Sequence, residues 1–147
     1  MRSQPTVSRL QKIRALQQEK VPGEDTRMKP SPSAGMLHAS CLVMSTCPDE
    51  LPARRLAATL VEERLAACVH VLPAGHSWYR WEGRVEESTE FTLLIKTTDA
   101  AYAALEKRLQ ALHPYELPEV IALSITGGLP GYLEWLRTEV DAGPYLA

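Results

Sequence analysis

The order of hydrophobic patterns along the chain predicts an α+β fold: an antiparallel sheet with two helices on one face, followed by a short third helix. Three observations support it. Compact apolar runs rich in Val and Ile recur at about 37–45, 67–73, 91–96 and 120–126. Two stretches between them carry apolar residues at helical spacing, each introduced by an aspartate. A Glu-Gly pair between two aromatic and β-branched segments marks a hairpin.

The first element is "LHASCLVMS" (37–45), an apolar run stopped by "TCPDE", and it reads as a buried strand. A helix follows. Asp49 is placed to cap it, Pro52 falls in its first turn, and Leu56, Ala57, Leu60 and Val61 make an apolar stripe that runs to about Leu65. "ACVHVLP" (67–73) is the second strand, with Cys68 and His70 two apart and so on one side of it. "SWYRW" and "RVEES" flank Glu82-Gly83, which predicts a hairpin. Phe91, Leu93 and Ile95 alternate with Thr92 and Lys96, giving a further strand. Asp99 is placed to cap a second helix on which Tyr102, Leu105, Leu109 and Leu112 recur, and Pro114 ends it. "VIALSIT" (120–126) is the last strand, broken by Gly127-Gly128, and "GYLEWLRTEV" is a short final helix. This order is a split βαβ arrangement, a ferredoxin-like sandwich with an inserted hairpin.

Residues 1–35 stand apart from that unit. They hold seven Lys/Arg against three Asp/Glu, whereas 36–147 hold nine against fifteen, so a basic leader precedes an acidic body. Val7 to Glu19 allows one loose helix, and "VPGEDTRMKPSPSAG" reads as a linker. Met36 is the expected start of the folded unit, and removal of 1–35 is expected to leave it intact.

A net charge of −2 gives no basic footprint for nucleic acid. No run approaches the roughly 18 apolar residues of a membrane span, and no continuous apolar stretch of a secretory signal opens the chain. Three cysteines without a C-x-x-C pair argue for reduced thiols and a cytoplasmic location.

"TCPDE", "VEERLAACVHVLP", "SWYRWEGRVEES", "LLIKTT", "LHPYELPEVIAL" and "GYLEWL", in this order and spacing, resemble the CutA divalent-cation tolerance proteins. The resemblance spans roughly residues 37 to 140. It implies a ferredoxin-like protomer in a tight homotrimer and a link to tolerance of copper and other divalent cations. No enzymatic activity is established for that family, and none is expected here. Trp78, Tyr79, Trp81 and Trp135 are a large aromatic load for a domain with one Phe, and pairing the hairpin with a neighbour would cover it.

Copper favours thiolate and imidazole ligands. Family metal proposals centre on a cysteine and a histidine that match Cys68 and His113, with Cys47 as a third candidate before a helix N-terminus, where a thiol pKa is expected to fall. The metal is not expected to be needed for folding. Some relatives have a cysteine where this chain has Ser45 and a second histidine where it has Leu112, and commonly an asparagine in place of His70. The alternative reading of Cys68 is a small buried hydrophobe; for His113 it is helix capping, and for Glu86, Glu87 and Glu90 a solvated hairpin end. A nucleophilic enzyme at Cys47 would need a base that sequence alone does not place. Trp81, Lys96, Tyr115 and Glu119, with Glu116, would suit a small anionic or zwitterionic ligand at inter-subunit clefts. A trimer that senses such a ligand, like the PII signalling proteins, or a scaffold for other proteins, is the alternative to metal tolerance.

Overall fold

The computed structural model describes residues 40–140. The leader, the boundary at residue 36 and the first residues of the expected first strand lie outside them. The elements are β1 (Ser40–Cys47), α1 (Glu50–Glu62), β2 (Cys68–Val71), β3 (Gly75–Trp81), β4 (Arg84–Thr98), α2 (Asp99–Leu112), β5 (Ile121–Ser124) and α3 (Pro130–Glu139). Their order is the one expected from the sequence, except that two of the expected strands are a single element here.

The sheet runs β2-β4-β1-β5, with β3 paired to the first half of β4, and every pairing is antiparallel. Alternation fixes what each face does. Cys41, Val43 and Cys47 of β1 and Leu93 and Ile95 of β4 share one buried cluster with Ala53, Leu56 and Leu60 of α1 and Leu105 and Leu109 of α2. Both helices therefore cover that face. Leu60, Leu93, Ile95, Leu105 and Leu109 have no exposed surface, and truncating any of them to Ala should cost about 2–5 kcal/mol.

The opposite face carries Leu42, Met44, Leu94, Lys96, Cys68 and His70, the alternate residues of β1, β4 and β2. Ile121 and Leu123 of β5 pair with Met44 and Leu42 and remain 48% exposed. Among the described residues only part of this face is covered, by α3. Leu136 of α3 is buried with Val140, Ala67 and Ala101, while its Tyr132 ring lies 5.8 Å from Lys96 Nζ.

Two turns follow directly from local chemistry. Glu82 (φ 46°) and Gly83 (φ 75°) form the two-residue connection between Trp81 and Arg84, both with the left-handed backbone that a tight hairpin demands. α1 ends where Arg64 adopts φ 58°, Arg64 N–H bonds the Val61 carbonyl and Leu65 N–H bonds the Leu60 carbonyl. That is the helix-terminating pattern usually built on glycine, closed here by the buried pair Leu60 and Leu65.

Several details differ from the expectation. α1 stops at Glu62 rather than near Leu65, and Val61 lies on its exposed side. Asp49 occupies the cap position of α1, but its side chain makes no capping bond; its carbonyl accepts from Ala53 N–H. The cap of α2 is Thr98, whose Oγ1 accepts from Ala101 N–H at 3.2 Å, and Asp99 is the first helical residue. Threonine and aspartate are interchangeable as caps in sequence, and the end of β4 decides between them. Leu112 is exposed at the helix end. The hairpin's second strand and the strand of Phe91 to Ile95 are one continuous element, β4.

Candidate functional site

Two groups of candidate residues lie at opposite ends of the sheet. The first gathers where β1 ends, because the chain after α2 folds back over it. His113 is 8% exposed and Tyr115 4%. Tyr115 N–H donates to His113 Nδ1 at 2.9 Å, so that nitrogen carries a lone pair and the proton sits on Nε2. Nε2–H points at the Thr46 carbonyl, 2.9 Å away, with Cys47 Sγ at 3.6 Å from the same nitrogen. Both ring nitrogens are thus engaged in holding the crossover to β1. Tyr115 donates its hydroxyl to Glu90 Oε2 at 3.2 Å, and Glu90 is 3% exposed. Glu90 is therefore not part of a solvated hairpin end. Its burial comes from a segment more than twenty residues downstream, which no local pattern reports.

The expected activation of Cys47 is reversed. Burial, then the charges of Glu90 and Asp49, push its thiol up to about 11, and the side chain has no exposed surface. Withdrawal from water and nearby carboxylates outweigh the helix N-terminus. A thiol so held is a poor nucleophile, although His113 stands beside it. Cys41 is likewise pushed up to about 11, by burial and then by Asp99.

The second group surrounds Cys68 on the edge strand β2. Cys68 is half-buried, unlike the two other cysteines. Its partner across the ladder is Lys96, whose Nζ donates to Sγ at 3.8 Å. His70 pairs with Leu94 on the same face and is exposed. Val69 and Val71, which alternate with them, pack against the helix-covered core. Lys96 also lies over Tyr132, which packs on Trp135 at 5.4 Å. The cross-strand register makes Lys96, a small-ligand candidate by its sequence, the neighbour of Cys68.

Cys47 and His113 therefore meet, and Cys68 does not join them. Cys47 stands opposite Phe91 and Cys68 opposite Lys96, five positions and about 17 Å apart along β4. Among the described residues no three His, Cys, Asp or Glu side chains are grouped to hold a metal ion. The residues named for a small ligand are also dispersed. Trp81 pairs with Arg84 at the hairpin tip, about 40 Å of strand from Lys96, and Tyr115 is buried against Glu90. Half-buried Glu119 lies in the crossover before β5. A cavity of about 620 Å³, lined by Leu65, Ala103, Ala104, Ala111 and the Glu63–Arg108 ion pair, contains none of these candidates.

Residues 41–139 match the profile of the CutA1 divalent ion tolerance proteins. The chain belongs to this family. It is 52% identical over 96 residues to the divalent-cation tolerance protein CutA of Thermus thermophilus, a match covering 65% of this chain and 93% of that protein. It is 45% identical over 98 residues to the chloroplastic Protein CutA of Arabidopsis thaliana, covering 67% of this chain and 54% of that longer protein. The crystal structure of CutA from Xylella fastidiosa superimposes with a TM-score of 0.67 at 51% identity, over 69% of this chain and 98% of that one. The mixed α+β fold is thus the one found in solved CutA structures. The matched span holds both candidate groups, whereas the leader lies outside it.

Proposed function

We propose that this protein serves divalent-cation tolerance by binding copper, as a ferredoxin-like homotrimer in the cytoplasm. The observation that carries the metal reading is the contrast among the thiols. Cys41 and Cys47 are sealed in the core and held protonated, while Cys68 is half-exposed on an edge strand. Within a protomer a soft ion reaches Cys68 more readily than the two core thiols.

Assembly is supported by what the protomer leaves bare. Ile121 and Leu123 on the outer sheet face, and Trp78 and Val85 on the hairpin, are exposed apolar groups beside strand edges that no described strand pairs. Copies of the chain would cover both kinds of surface. They would also be needed to bring Trp81 of one subunit near Lys96 or Glu119 of another, as the ligand-sensing alternative requires. The metal is an adjunct to a fold built on an apolar core, and catalysis plays no part in this reading.

Expression of the chain in copper-sensitive cells tests the reading. The parent should raise the copper concentration that halts growth, and Cys68→Ser at equal abundance should not. Equal protection by both would refute a copper role for this thiol.

A further inference from the structure

We propose that Cys68 and His70 form a two-donor site for a soft monovalent ion, Cu(I), and that Lys96 beside them disfavours divalent ions there. The inference rests on the copper reading above and names the second ligand and the charge class of the ion.

Cys68 and His70 project from one face of β2, as their partners Lys96 and Leu94 do from β4. Two residues along a strand place their Cα atoms about 6.6 Å apart. Ordinary metal–sulfur and metal–nitrogen bonds in line span roughly 4 Å, so ordinary side-chain rotation brings Sγ and an imidazole nitrogen onto opposite sides of one ion. His70 is exposed, unlike His113, whose two nitrogens already bond Thr46 and Tyr115. Two donors in line satisfy Cu(I). Zn(II) commonly takes four ligands in a tetrahedron, and no third His, Cys, Asp or Glu among the described residues joins this pair.

Lys96 adds a charge criterion. A Cu(I) ion on the Cys68 thiolate, with neutral His70, gives a complex of zero net charge. A divalent ion on the same donors leaves one positive charge near the Lys96 ammonium, which stands 3.8 Å from Sγ. The repulsion falls on the divalent complex alone. The Tyr132 ring, 5.8 Å from Nζ, gives the ammonium a place to rest when the sulfur is metallated.

The test is Cu(I) and Zn(II) affinity of the full chain under anaerobic reducing conditions, by competition with a chromophoric chelator, with X-ray absorption to identify the atoms bound to copper. The variants are His70→Asn, Lys96→Leu and Cys68→Ser. For His70→Asn, Cu(I) affinity should fall roughly tenfold or more, since even losses outside the ligand shell cost about 10–100-fold, and the nitrogen neighbour of copper should vanish. Lys96→Leu, which removes the charge without adding a donor, should raise Zn(II) affinity by roughly tenfold while moving Cu(I) far less. If His70→Asn binds Cu(I) as the parent does while Cys68→Ser does not, the two-donor site is wrong and the copper reading stands. Should Lys96→Leu shift both ions equally, its role in selection is wrong. Undiminished binding by Cys68→Ser, or no binding by the parent, would remove the copper reading and this site together.

Discussion

His113 Nε2 lies 2.9 Å from the carbonyl oxygen of Thr46, while Nδ1 of the same ring accepts the N–H of Tyr115. One neutral imidazole therefore joins the end of β1 to the crossover that follows α2, inside the protein. Replacing it by alanine removes both of these buried hydrogen bonds, at a total cost of about 1–3 kcal/mol. Urea unfolding of His113→Ala should show a loss of that size, with copper affinity close to the parent's. Unchanged stability with abolished copper binding would instead make this histidine a ligand.

Ser45 is fully buried and its hydroxyl has no hydrogen-bond partner among the described residues. A polar group in that position contributes nothing to offset its removal from water. Ser45→Ala is expected to be neutral or to stabilise the protein by up to about 1 kcal/mol, a gain that calorimetry can read. Destabilisation by more than that would mean the hydroxyl is bonded in solution.

The two core thiols give a dependence on alkaline pH. Cys41 and Cys47 are both raised to about 11 in the folded protein from an unfolded value near 9.0. The unfolded chain loses these protons first, so the stability linked to them is whole below about pH 9 and declines as pH rises towards 11. Denaturation midpoints should fall over that interval, and Cys47→Ala should make the fall shallower. A parent and variant that lose stability in parallel would show that the thiol is not the source.

Much of this fold was legible from residue patterns because those patterns are local. Glu82-Gly83 placed the hairpin to the residue, and the alternation of Phe91, Leu93 and Ile95 with Thr92 and Lys96 identified the sheet faces. Positions that depend on distant chain were not legible. Glu90 belongs to a charged hairpin by its neighbours, yet Tyr115 covers it. Cys47 precedes a helix, which locally lowers a thiol pKa, yet its burial and two carboxylates raise it. The site suffered most from this. Cys68, His113 and Cys47 are plausible together as residue types, but strand register sets Cys68 about 17 Å from Cys47 along β4 and side-chain alternation puts it on the opposite face of the sheet.

The exposed apolar residues of the outer face predict assembly. Light scattering should give a trimer at micromolar concentration, and Ile121→Glu combined with Leu123→Glu should release monomers by placing charge in the contact. A parent that is monomeric at that concentration would contradict the trimer.

The central claim, that Cys68 is the thiol through which this protein meets copper, is tested most directly by equilibrium dialysis of the full chain against Cu(I) under reducing conditions. The parent should retain one copper per protomer. Cys68→Ser should retain almost none while melting within a few degrees of the parent, because sulfur and hydroxyl oxygen differ little in volume and the residue is only half-buried. Equal copper retention by the parent and by Cys68→Ser would contradict the account.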